Sequence, residues 1–123
     1  MMRRKLVNAL LLRSLPGVRD PQRLVLVTDN GNTSLHYPLY EHLRDGSQSL
    51  SGLFVNAWAE KHKVRIEGSE AAKAEPVWDQ AVSGNFFSVL GTTGALGRTL
   101  TPNDDRPGDP QAVAVISYDF WQR

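Results

Sequence analysis

Metal-assisted hydrolysis needs histidines and carboxylates brought together, and this sequence offers His36, His42 and His62 beside the cluster Asp104, Asp105 and Asp109. No two histidines stand four apart with a Glu between them, the spacing that puts two imidazoles on one helical face for zinc. All three therefore read as solvated or hydrogen-bonded structural residues. The aspartates lie in Thr101-Pro102-Asn103-Asp104-Asp105-Arg106-Pro107-Gly108-Asp109-Pro110. Their order is not that of an EF-hand loop, and a capped, solvated turn is the better reading. Gly91-Thr92-Thr93-Gly94-Ala95-Leu96-Gly97 lacks both the Gly-Lys-Ser/Thr of a P-loop and the spacing of a dinucleotide turn, so its glycines are assigned to turns with positive φ. Ser83 and Ser117 are the most conspicuous serines, but neither sits in a Gly-x-Ser-x-Gly elbow. Glu67, Glu70, Glu75 and Asp79 flank strand-like segments, where exposed charge explains them without chemistry. Trp58, Trp78 and Trp121 lie near Phe54, Phe86, Phe87 and Phe120 in sequence, which favours core packing over a stacking surface.

The chain that must position these groups has 123 residues and no Cys, so disulfides, thiolate metal sites and a Cys nucleophile are excluded. One domain at most fits this length. The formal charge of +1 hides an asymmetry, because residues 1–24 carry six basic groups against one acid and the rest is net −4. A basic head on a mildly acidic body fits a nucleic-acid arm, a membrane-surface patch or the flank of a membrane-inserted segment. The overall charge argues against a surface built throughout for nucleic acid. Arg13-Ser14-Leu15-Pro16-Gly17 is a poor cleavage site, and Leu6–Leu12, seven mostly apolar residues interrupted by Asn8, is at the lower limit for a signal-peptide core. It is also far from the roughly 20 apolar residues that span a bilayer, so no complete transmembrane helix is expected.

The elements follow from local pattern. Arg23–Thr28 reads as a strand covered on both faces, because Leu24-Val25-Leu26-Val27 are apolar in succession. Tyr37-Pro38 with Leu39, Leu43, Arg44 and Gly46 reads as a helix that resumes through Leu50, Leu53 and Phe54, giving 38–54. Two-residue alternation predicts strands over 55–66 and 74–83. Asn85 is read as an N-cap and Gly91 as the terminator of a helix over 85–90. Gly94 to Pro110 reads as a long loop, Ala112–Ile116 as a buried strand within 112–117, and Ser117 as the cap of a helix from 118 onward. The expected class is α+β, with a small mixed or antiparallel sheet and short helices.

Taken in order, Asn8-Ala9-Leu10-Leu11-Leu12-Arg13, Arg19-Asp20-Pro21-Gln22-Arg23-Leu24-Val25, Tyr37-Pro38-Leu39-Tyr40, Val82-Ser83-Gly84-Asn85-Phe86-Phe87-Ser88-Val89-Leu90-Gly91, Ala95-Leu96-Gly97-Arg98 and Val115-Ile116-Ser117-Tyr118-Asp119-Phe120-Trp121-Gln122-Arg123 resemble the MacB-like periplasmic core domain of FtsX-like ABC transporter permeases, and more narrowly the duplicated orphan permeases of acidobacterial type. The family-motif positions are Asn8, Pro21, Tyr37, Pro38, Gly84, Asn85, Phe86, Phe87, Gly91, Gly97, Ser117, Phe120 and Trp121, all structural. The resemblance implies a non-catalytic extracytoplasmic α+β domain on the periplasmic side of the bacterial inner membrane, without cofactor or metal. Its partners would be the remainder of the permease, through it a cytoplasmic ABC ATPase, and envelope proteins, with no nucleic acid. It also implies residues 1–17 as a basic and apolar head following a lost first transmembrane helix, residues 18–123 as a partial core domain, and truncation at both ends. Two other readings stay open: a free-standing soluble partner-binding module, and a small metal-dependent hydrolase using Asp104, Asp105 and Asp109 with His36 or His62.

Overall fold

A computed structural model of the chain describes residues 17–68 and 73–123, together with the backbone of residues 2–6. The elements run β1 (Met2–Leu6), a 3-10 turn (Pro21–Arg23), β2 (Val25–Asp29), α1 (Tyr37–Gly46), β3 (Glu60–Val64), β4 (Glu75–Asp79), α2 (Phe86–Leu90), β5 (Asp105–Arg106), β6 (Asp109–Pro110) and α3 (Tyr118–Trp121). Among the described residues, short helices and three antiparallel ribbons, β1–β2, β3–β4 and β5–β6, make a small α+β fold. Residues 2–6 of the basic head pair with β2, Arg4 opposite Val27. Asn8 and the apolar run around it lie outside the described residues.

Local chemistry accounts for most boundaries. Pro38 occupies the first helical turn of α1, and the Ser47 amide closes its end on the Leu43 carbonyl. The expected continuation to residue 54 does not form. Residues 47–54 are irregular, because the Leu53 carbonyl accepts the side chains of Asn85 and Tyr40 in place of a helical amide, and Gly52 sits directly under Val89. After β2 the chain reverses at Asn30-Gly31, whose φ values of 48° and 86° give the paired left-handed residues of a type I′ turn between Asp29 and Asn32. Pro107-Gly108, with Gly108 at φ 84°, turns the two-residue ribbon β5–β6 inside the expected long loop.

The strands expected over 55–66 and 74–83 are each broken in two. Val55–Ala57 pairs with Ala81–Ser83 through the Ser83 amide on the Val55 carbonyl and the Ala57 amide on the Ala81 carbonyl, while β3 and β4 pair from Glu60 opposite Asp79. Between these ladders Trp58 and Ala59 stand opposite Gln80 alone, two residues against one, which is the pattern of a β-bulge. The Gln80 side-chain amide bridges the gap to the Ala57 carbonyl at 2.7 Å. A period-two reading of the sequence has no means of marking this extra residue.

The core is small. Among the described residues Tyr40 and Leu90 are the buried apolar ones, with Thr28, Ser83 and Asp104 buried as polar ones. Around them Phe54 meets Phe86 edge-on at 4.8 Å, and Phe86 meets Phe87 at 5.2 Å. Three expectations fail on this point. Leu26 is exposed in β2, so that strand is not covered on both faces; Ala112–Ile116 forms no strand and leaves Val113, Val115 and Ile116 exposed; and Trp58, Trp78 and Trp121 are 79%, 71% and 50% exposed rather than packed in a core.

Candidate functional site

Val82–Gly91 contains the densest set of polar contacts between distant parts of the chain. Asn85 stands at the N-terminus of α2, yet its side chain does not cap the helix. Instead its Nδ2 donates to the Leu53 carbonyl at 2.7 Å, while its Oδ1 accepts from the Ser83 hydroxyl at 2.8 Å and the Tyr40 hydroxyl at 3.3 Å. The Ser83 Oγ in turn accepts the Val55 amide at 3.0 Å. One amide side chain thus ties α1, the segment before β3 and the approach to α2 together. Ser83, with its hydroxyl committed on both sides and no histidine in contact, is a structural serine.

The far end of α2 is closed in the way the sequence indicated. Gly91 takes φ 69°, with its own amide on Ser88 and the Thr92 amide on Phe87, the double bond of a Schellman ending. The Leu90 carbonyl left over is taken by the Arg19 amide at 2.7 Å, and the Thr92 hydroxyl reaches the Gly17 carbonyl at 2.8 Å. Asp20, in the left-handed region at φ 49°, then turns the chain into Pro21 at the start of the 3-10 turn. Gly97 also has a positive φ, as expected for this loop, whereas Gly94 does not.

The aspartate loop is built from protein donors. Arg98 grips Asp104 with both terminal nitrogens at 2.7 and 2.8 Å, and the Thr101 amide adds a bond at 2.7 Å. Asp104 is buried, so the loop is not the fully solvated turn expected. The Arg98 guanidinium first, and the Thr101 amide after it, hold the Asp104 carboxyl well below the usual carboxylate range. A depressed folded-state pKa contributes stability that is fully present above the unfolded value near 4 and is lost as pH falls through the folded one. Thermal melts should therefore show a loss of stability on acidification below about pH 4. Asp104→Asn should start from a lower melting temperature and fall less over the same range; parallel acid slopes would refute the assignment. Asp105 points the other way, its Oδ2 accepting the Gly84 amide at 2.7 Å, and Asp109 bonds Gln111. The three carboxylates face different partners.

The remaining candidates are dispersed. His62 contacts Asp79 at 2.7 Å and Glu60 at 3.5 Å on the β3–β4 ribbon, while His36 precedes α1 and His42 lies within it, both exposed. Among the described residues no three His, Asp or Glu side chains form a group able to hold a metal ion. Glu75 pairs with Arg123 at 3.6 Å, Glu67 is exposed, and Glu70 lies outside the described residues. Ser117 does act as the expected cap, accepting the Phe120 amide at 3.3 Å. A shallow cleft of about 280 Å³ opens over Tyr37, Tyr40, Arg44, Asn85, Asp105 and Arg106. There partial burial, and after it the charge of Asp105, raises the pKa of the Tyr37 hydroxyl. Arg44 is held by Asp45 at 2.7 Å, and Arg106 by Asn103 at 2.6 Å. Among the described residues Arg44, Asn85, Asp105 and Arg106 of the cleft are each engaged by protein groups.

Sequence reasoning identified Gly84, Asn85, Gly91 and Ser117 but not the bonds from Asn85 to Leu53 and Tyr40, or from Asp105 to Gly84. The available signal was the polar triplet Ser83-Gly84-Asn85 between two apolar segments. Among the described residues no helix is long and apolar enough to cross a membrane. No protein-family model, curated protein or solved structure matches the chain.

Proposed function

We propose that the chain is part of the extracytoplasmic domain of an ABC-type permease, a mechanical module without chemistry of its own that couples ATP-driven movement of partner subunits to transport or signalling across the envelope. The observation that carries this reading is the apolar strip Val113, Val115, Ile116, Tyr118 and Trp121, all of them 39% exposed or more. Exposed apolar side chains gathered on one segment mark a surface that meets another body; a module that transmits movement would lay them against further polypeptide. The permease resemblance of the Val82–Gly91 and Val115–Arg123 segments supports the same reading, as does the use of Asn85, Ser83 and Gly84 as scaffold.

An antibody raised against residues 70–110 tests it on fractionated native cells. A band much larger than 13.7 kDa in detergent-extracted membranes is the expected result. A soluble band at the mass of the chain itself would overturn the proposal and favour the free-standing partner-binding module, to which the same strip would then serve as a recruiting surface.

A further inference from the structure

The β3–β4 ribbon segregates its charge. Lys61 lies opposite Trp78 and Lys63 opposite Pro76, so these four side chains share one face, and Arg65 follows at the next alternate position, all three cations exposed. The other face carries Glu60, Asp79 and Glu75, and there the acids have partners: Glu60 and Asp79 flank His62, and Glu75 meets Arg123. Among the described residues none of Lys61, Lys63 and Arg65 has an acidic partner. At two residues per repeat the three cations are set about 7 Å apart in a row. Trp78 is 71% exposed, and the Lys61 ammonium lies 5.9 Å from its ring centre, a cation–π contact.

We infer that this face is a contact surface for anionic phospholipid headgroups, with Lys61, Lys63 and Arg65 on the phosphates and Trp78 seated at headgroup depth. Charge complementarity carries the assignment: a row of exposed cations without acidic partners on one face of the ribbon matches a surface of negative charge. Trp is the side chain whose amphipathic ring suits that depth. A nucleic-acid strand fits less well, because one side of the ring is taken by Lys61 where a base would stack, and the chain carries a net charge of only +1. The acids on the reverse face are engaged by His62 and Arg123, and salt further screens their repulsion of the surface. The face would act in this way whether the chain belongs to a permease or stands alone.

Co-sedimentation of the full chain with vesicles of phosphatidylcholine and phosphatidylglycerol, against vesicles of phosphatidylcholine alone, tests the inference at low and high sodium chloride. Binding to the anionic vesicles only, weakened by salt, is expected. The triple variant Lys61→Gln, Lys63→Gln, Arg65→Gln should bind roughly a hundredfold more weakly, while Arg44→Gln with Arg106→Gln, which removes two cations elsewhere, should bind as wild type does. If the triple variant fails to fold, brominated lipid reads the same contact in the wild-type chain: quenching of tryptophan emission that disappears in Trp78→Phe supports it, and absence of quenching refutes it. Equal binding to both vesicle types, or wild-type binding by a folded triple variant, would overturn the inference. Tighter binding to a single-stranded oligonucleotide than to anionic vesicles would reassign the face to nucleic acid.

Discussion

Replacing Asn85 with alanine is expected to destabilise the chain by about 2–4 kcal/mol. The substitution removes one donor and one twofold acceptor at once, leaving the Ser83 hydroxyl without its acceptor and the Leu53 carbonyl with only the longer Tyr40 bond at 3.3 Å. Ser83 is 3% exposed, so water has poor access to replace what is lost, and unmade bonds at buried groups cost more than made bonds contribute. Tyr40→Phe removes a single weak donor and should cost about 1 kcal/mol. Asn85→Asp keeps the acceptor but sets a carboxylate against the Leu53 carbonyl, and should be at least as damaging as alanine at neutral pH. Urea denaturation midpoints measure all three. An Asn85→Ala variant within about 0.5 kcal/mol of wild type, the scatter of an ordinary surface change, would show that the hub does not hold the fold together.

Gly84→Ala is the second large effect. A Cβ at this position would overlap the Thr101 carbonyl and come within 2.8 Å of the Asp105 carboxylate, the group that already accepts the Gly84 amide. Backbone cannot rotate away as a side chain tip can, so relief requires parting the aspartate loop from α2. A cost of about 3 kcal/mol, at the upper end for overpacking, is expected as a fall in melting temperature. Gly46→Ala is the matched control: it ends α1 with nothing within 4 Å of the added carbon, and alanine there should be neutral or stabilising by up to about 1 kcal/mol. Equal melting temperatures for Gly84→Ala and wild type would mean that the loop does not close on Gly84 as described.

What the sequence disclosed and what it withheld divide by range. Pro38, Gly91 and Ser117 act through neighbours within one turn, and each performs the role its type and position indicate, whereas Gly46 lies inside α1 without a left-handed φ and Ser47 caps the helix. Asn85 was recognised as a polar residue at a helix start, but its partners lie up to 45 positions away, and nothing in its own neighbourhood distinguishes a cap from a tie. The helical spacing of Leu50, Leu53 and Phe54 misled for the same reason, since the Leu53 carbonyl is claimed from afar. An apolar run such as Ala112–Ile116 states only that burial would be favourable. Whether a cover exists depends on other segments, and the described ones supply none.

Among the described residues the division into three ribbons leaves six strand edges, where one six-stranded sheet would have two. Unpaired N–H and C=O groups along an edge invite another strand, and most of these edges carry something that discourages it. β1 is a run of Arg3, Arg4 and Lys5, β3 presents Lys61 and Lys63, β4 contains Pro76, and β6 is two residues long and ends in Pro110. Among the described residues Ala112–Ser117 has no such guard: it carries no charge and no proline, it belongs to no helix or ladder, and Val113, Val115 and Ile116 face solvent. A strand arriving from outside meets little resistance there, which makes this stretch, between Asp109 and Asp119, a seam open to β-addition.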